Sequence, residues 1–228
     1  MKILTFSFDD GEIYDRRLAE LLRKFGMQAT FFLISGQLGI RVPFYRYGED
    51  TVVERVSAAK IPATYCGMEV ASHTQFHRLP QEEKEIRREM EESLAVLSRA
   101  CGYVVCGMAY PGGHCAQAQA DTLRRMGLTY ARLTEPTHDF APPDDWLQWR
   151  PTCHYADAAM PALLERFAAA SGDALFHIYG HSYELTQSDP QKNWLGFERL
   201  LQRLSAVPGV QYCTNVDAAR LWQMRRGT

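Results

Sequence analysis

Lys2-Ile3-Leu4-Thr5-Phe6-Ser7-Phe8-Asp9-Asp10-Gly11 is the stretch from which the fold can be read. Residues 2–8 predict a buried strand, which ends on an acidic doublet and a glycine that lets the backbone turn sharply. Residues 15–25 then place Leu18, Leu21, Leu22 and Phe25 on one face of a helix, and residues 28–34 predict a second strand. Strand, helix, strand in this order is a βαβ unit, and such a unit builds a parallel sheet. The alternation continues outward along the chain. Helices are expected at 51–59, 81–99, 116–126, 158–169, 195–205 and 215–225, and strands at 69–72, 104–110, 130–133, 174–180 and 210–213. The rhythm predicts an α/β fold, and a distorted or incomplete (β/α) barrel of about seven strands is preferred to an open doubly wound sheet.

The chain has 228 residues, 46% hydrophobic and 23% charged, which suits one domain spanning 1–228 and excludes disorder or a disulfide-stapled miniature. Lys and Arg number 25 against 27 Asp and Glu, for a net charge of -2, so no global field favours nucleic acid or an anionic membrane. No apolar run approaches the ~20 residues that span a bilayer. The six cysteines lack CxxC spacing and are expected to be reduced, mostly buried thiols. No apolar targeting segment precedes the first strand, so a cytoplasmic location is expected. Residues 134–151, with Pro136, Pro142, Pro143 and Pro151, predict a loop over the active face.

Four clusters fall where strands are expected to end, the face on which parallel α/β folds place their sites. Asp9-Asp10-Gly11 offers two carboxylates where a helix cap would need one. In Ser72-His73-Thr74-Gln75-Phe76-His77 two imidazoles four residues apart can converge on one ion. One carboxylate of the doublet would complete a two-histidine, one-aspartate set for Zn²⁺ or another divalent transition ion, able to generate hydroxide near neutral pH and polarise a carbonyl. Met108–His114 closes a strand with a Pro-Gly turn whose backbone N–H groups could point into a cleft. Along residues 176–184 the two-residue period puts His177, Tyr179 and His181 on one side of a strand, with His181 nearest its end.

In this order and spacing the clusters resemble the polysaccharide deacetylase family, also called the NodB-homology or carbohydrate esterase family 4 domain, over nearly the whole chain. The matching motifs are Ser7-Phe8-Asp9-Asp10-Gly11, Phe25-Gly26-Met27-Gln28-Ala29-Thr30-Phe31-Phe32 and His73-Thr74-Gln75-Phe76-His77. The resemblance implies a metal-dependent hydrolase that removes acetyl from an N-acetylated sugar or glycan. Zn is the first choice of metal, with Co, Ni or Mn as alternatives. It makes Asp10, His73 and His77 the metal ligands and Asp9 the base that deprotonates the attacking water. The third motif aligns with Ala109-Tyr110-Pro111-Gly112-Gly113, so the Tyr110 backbone N–H would hold the oxyanion. The family's arginine, which tethers the catalytic aspartate, would fall at Ala109 and is absent; Arg150 is the expected replacement. Ile178-Tyr179-Gly180-His181-Ser182 makes His181 the general acid, with His177 the competitor. Asp145 or Glu184 would orient that acid, and Trp146 would floor a sugar site. The departures from the family pattern keep two rivals open: hydrolysis of a cyclic amide or ureide, and a non-catalytic metal- and glycan-binding module.

Overall fold

The computed structural model describes residues 1–46 and 48–226. In chain order the elements are β1 (Lys2–Asp10), α1 (Asp15–Lys24), β2 (Thr30–Leu33), β3 (Arg41–Arg46), β4 (Glu49–Glu54), α2 (Ile61–Thr64), β5 (Glu69–Ser72), α3 (Glu83–Cys101), β6 (Gly107–Ala109) and α4 (Gln117–Arg125). They continue with β7 (Tyr130–Arg132), β8 (Cys153–His154), α5 (Met160–Ala169), β9 (Ala174–His181), α6 (Trp194–Ser205), β10 (Val210–Tyr212) and α7 (Asn215–Arg226). One parallel sheet runs β7-β6-β5-β2-β1-β9-β8, with β10 beside the start of β1. It curls into a distorted half-barrel, and Trp149 links the two edges. The Trp149 N–H donates to the Ala131 carbonyl at 3.0 Å, its carbonyl accepts from Leu133 at 2.9 Å, and Cys153 and His154 pair with β9 a few residues later. The expected α/β barrel is therefore the fold found.

Strand alternation separates two environments. Leu4, Phe6 and Phe8 of β1 face the helices, in one core with Leu18, Leu22, Phe31, Phe197 and Leu201. Thr5, Ser7 and Asp9 face the concave side, where a buried polar network lies beside an apolar cluster that includes Ile3, Phe32, Tyr130 and Trp149. The Thr5 hydroxyl donates to Asn215 Oδ1 at 2.7 Å, Asn215 Nδ2 to Ser7 Oγ at 2.7 Å, and Thr30 and Tyr130 hydroxyls to Glu69 at 2.7 and 2.8 Å. Burial pushes Glu69 up to about 7, against the opposing effect of these donors and the Val216 N–H.

Two expected elements differ. Residues 51–59 are not a helix: β3 and β4 form an antiparallel hairpin with Phe44 opposite Thr51 and Pro43 opposite Val52. The β-branched run Thr51-Val52-Val53 favours a strand once a partner strand supplies its hydrogen bonds. Residues 134–151 do not cover the active face. The Phe140 carbonyl accepts from Leu175 near the start of β9, and the Phe140 ring packs on Phe167 and Phe176, so the segment runs toward the far end of the barrel. The segment is irregular, as its prolines predict, and burial of its Phe140 ring draws it to that end. The six cysteines are free, with Cys153 and Cys213 buried and Cys66 exposed. Among the described residues no helix is long and apolar enough to cross a membrane.

Candidate active site

Strand register builds the site. Asp9 lies beside His181 of β9, Asp10 beside Leu33 of β2, Leu33 beside Ser72 of β5, and Ala109 beside Arg132 of β7. Residues distant in sequence thus share one rim at the C-terminal ends of the strands, the side a parallel barrel leaves for chemistry.

At that rim the chain turns sharply, with Asp10 and Gly11 both left-handed at φ 80° and 71°. A Cβ on Gly11 would come within 2.7 Å of Leu33 Cδ2, so the position needs glycine for both conformation and space. The Arg55 guanidinium donates to the Asp10 carbonyl and lies 3.9 Å from Asp10 Oδ1.

His73 and His77 sit on an irregular turn: Thr74 and His77 are left-handed, at φ 64° and 56°. Glu89 Oε1 accepts the Gln75 and Phe76 N–H groups at 2.9 and 2.8 Å, and Ser72 Oγ accepts the Thr74 N–H at 3.0 Å. The two rings meet edge to face, centroids 4.8 Å apart. His73 Nδ1 lies 2.9 Å from the Ala109 carbonyl, which only accepts, so Nδ1 carries the proton and the Nε2 lone pair faces Asp10. Burial holds the His73 ring below its usual basicity, in the neutral form that ligates metals.

Asp10 Oδ1 is 4.0 Å from His73 Nε2 and 3.8 Å from His77 Nε2, and it is buried without a hydrogen-bond partner. Four-coordinate zinc bonds near 2.1 Å place ligand atoms about 3.4 Å apart. The two gaps to Asp10 need contract by only about half an ångström to reach that spacing, all three ligand atoms lie within 4.8 Å of one another, and an orphaned buried carboxylate oxygen is the group such an ion would satisfy. The residues fit a divalent transition metal.

Asp9 is buried, and both its oxygens accept from Arg132 Nη2. Burial raises its pKa, but the charges of Arg132, His73 and His181 outweigh that effect and hold the carboxyl below its usual range. Arg132 thus stands where Arg150 was expected. Arg150 is half-exposed on the descending segment and pairs with Glu135 at 3.4 Å. No motif marks Arg132. The signal was its place at the end of β7, directly across from Ala109, so the guanidinium missing from β6 is supplied one strand over at the same level.

His181 Nε2 is 3.9 Å from Asp9 Oδ2, and its Nδ1 is 3.3 Å from Glu184 Oε1. Burial, which opposes the charged ring, is outweighed by Glu184 and Asp9, and its pKa is raised. Glu184 Oε2 also accepts from the His181 backbone N–H at 3.0 Å and meets His154 Nε2 at 2.9 Å; these partners overcome burial and hold Glu184 well below the usual carboxylate range. Of the two carboxylates expected to orient that acid, Glu184 is the one that lies beside His181. Asp145 caps a surface turn through Leu147 and pairs with Arg124. His177 lies inside the barrel, 2.6 Å from Ser7 Oγ and against Trp149, with burial pushing it far below its usual basicity.

Two further expectations are corrected. The Tyr110 N–H donates to the Arg132 carbonyl at 3.0 Å, so the sheet ladder uses the donor expected for an oxyanion, and the hydroxyl donates to the Leu147 carbonyl. Trp146 is buried with its ring 4.8 Å from that of Trp149, in the core rather than under a sugar site.

A cleft of about 770 Å³ adjoins His181, lined among others by Tyr14, Arg46, His154, Tyr155, Tyr183 and Glu184.

A curled parallel barrel with this rim is a NodB-like (β/α) barrel protein. More specifically, the chain belongs to the polysaccharide deacetylase family, whose model matches residues 1–131. No curated protein matches the sequence. Among solved structures it is similar to a probable polysaccharide deacetylase from Pseudomonas aeruginosa PAO1, at 15% identity and a TM-score of 0.71 over 99% of this chain and 92% of that one. It is also similar to a family 4 acetyl xylan esterase from Clostridium thermocellum in complex with a cobalt ion (16% identity, TM-score 0.56, 96% and 91% covered). The peptidoglycan deacetylase PdaC from Bacillus subtilis is a third such structure (17%, 0.57, 99% and 95%). The family match ends one residue before Arg132, so the guanidinium beside Asp9 and the whole His154–His181–Glu184 group lie beyond it.

Proposed function

We propose that residues 1–228 form one catalytic unit, a metal-dependent hydrolase that removes the acetyl group from an N-acetylated sugar or glycan. The observation that carries this reading is the convergence of Asp10, His73 and His77 beside a separate carboxylate, Asp9, and an imidazole, His181, on one rim. Asp10, His73 and His77 would hold one divalent ion, zinc in our reading. Such an ion, when bound, supplies Lewis acidity that acidifies a water molecule and polarises an amide carbonyl. Asp9, fixed by both oxygens on Arg132, accepts the proton of the attacking water. Arg132 keeps that carboxylate ionised and aimed, at the cost of lowering its basicity. His181 protonates the departing amine through Nε2, while Glu184 at Nδ1 favours the charged ring. Water adds to the carbonyl carbon, the C–N bond breaks, and acetate and a free amino sugar leave.

The experiment is metal analysis of purified protein, then acetate release from a panel of soluble N-acetyl sugars, with chelation and metal add-back. Acetate release that chelator abolishes and one equivalent of zinc restores supports the reading. Activity indifferent to chelator, or ring-opened products from cyclic amides in place of acetate, overturns it.

A further inference from the structure

Apart from the Asp10 group, one other set of three ligand-type side chains among the described residues converges within 4.8 Å: His154, His181 and Glu184. They come from β8, from the end of β9 and from the turn that follows it. Glu184 lies between the rings, with Oε2 2.9 Å from His154 Nε2 and Oε1 3.3 Å from His181 Nδ1. The three side chains are 26, 25 and 16% exposed, and His154 and Glu184 line the cleft of about 770 Å³, so a hydrated ion has a way in.

We propose that His154, His181 and Glu184 form a second, weaker site for a divalent transition ion, and that filling it switches the enzyme off. Two imidazoles and one carboxylate are a donor set for zinc-like ions. Both spacings to Glu184, 2.9 and 3.3 Å, fall short of the about 3.4 Å expected between ligands of one such ion, so the His154–Glu184 gap opens by about half an ångström.

The site is weaker than the Asp10 group for a reason visible in the hydrogen bonds. His73 has its Nδ1 proton on the Ala109 carbonyl, which leaves Nε2 ready to ligate. His154 is in the opposite tautomer. Its Nδ1 accepts the Ala156 N–H at 3.2 Å, so its proton sits on Nε2, facing Glu184. Ligation through Nε2 displaces that proton and gives up the Ala156 bond, and a cost of this kind lowers affinity about tenfold or more. The second ion therefore binds after the first.

The inhibitory consequence rests on the proposed function. A His181 ring ligated at Nδ1 releases any proton held there and keeps only the one on Nε2. Giving up that last proton would leave an imidazolate, so the ligated ring no longer protonates a departing amine.

The test is calorimetric titration of the metal-free full chain with Zn²⁺, for wild type, His154→Gln and His73→Ala, with acetate release followed in parallel. Glutamine at 154 retains an N–H for Glu184 but is a poor zinc ligand. Wild type should bind two equivalents, the second at least about tenfold weaker. His154→Gln should bind only the tight equivalent and His73→Ala only the weak one. In wild type acetate release should fall as zinc exceeds one equivalent, whereas His154→Gln should hold its own one-equivalent rate. Equal stoichiometry and affinity in wild type and His154→Gln would overturn the proposal; should that variant misfold, Glu184→Gln titrated in the same way decides it. Indifference of the tight equivalent to His73→Ala would instead refute the Asp10–His73–His77 reading and leave this one standing.

Discussion

Arg132→Met tests the site at its most enclosed contact. The Arg132 and Asp9 side chains are 0% and 4% exposed, and both carboxylate oxygens accept from the guanidinium. Removing the cation strands an ionised carboxylate in the barrel, and breaking a buried pair from one side costs about 3–5 kcal/mol. For a domain of this size each kcal/mol moves the melting temperature by about 2–4 °C, so a fall of roughly 6–20 °C is expected. Asp9→Asn alone also destabilises, because it leaves the guanidinium buried without its counter-charge. The double variant has neither orphan, and its loss should fall short of the summed single losses by about 2 kcal/mol or more. Urea unfolding of the four proteins in chelator, followed by circular dichroism, gives the cycle free of any metal contribution. A single-variant loss below about 1 kcal/mol, or strict additivity in the double variant, would refute the argument that this ion pair is a coupled, dry contact.

Asp9→Asn is expected to retain metal by elemental analysis while acetate release falls by about 100-fold or more, and His73→Ala to lose both; wild-type turnover in Asp9→Asn would remove Asp9 as the base. Burial pushes Glu69 from its usual 4.5 up to about 7, so its stability contribution is complete below about pH 4.5, is lost as pH rises to about 7, and is flat above. Glu69→Gln should therefore gain about 3 kcal/mol relative to wild type between pH 4 and pH 8, and parallel stability curves would show that burial does not hold this carboxyl protonated. Gly11→Ala should cost about 1–2 kcal/mol through its left-handed backbone and the approach to Leu33, and should weaken zinc binding though no ligand changes; an unchanged affinity would mean that the turn does not aim Asp10.

Much of the molecule was legible in one dimension. Alternation of two-residue and 3.6-residue periods marks β1, α1, β2 and most later elements, and those periods belong to local geometry. The acidic doublet with its glycine and the His73–His77 spacing were likewise visible, because each is a short run of residues readable in the sequence itself, although Glu89 of α3 holds the turn that carries the two histidines. The hairpin of β3 and β4 was not, since a strand with an exposed partner depends on hydrogen bonds that the partner supplies.

What tertiary structure alone decided is which distant groups share the rim. Arg132 reaches Asp9 across 123 residues because the register of β6 and β7 sets it opposite Ala109 and the curl of the sheet turns it inward. The same ladder engages the Tyr110 N–H, and packing draws Trp146 into the core and carries Arg150 away from the site. Glu184 rather than Asp145 meets His181 because one turn after β9 returns it to the strand end, whereas Asp145 caps a surface turn. Periodicity encodes which face of an element is apolar; register, curvature and competition for each hydrogen-bond donor encode which charges meet, and those arise only when the strands are assembled.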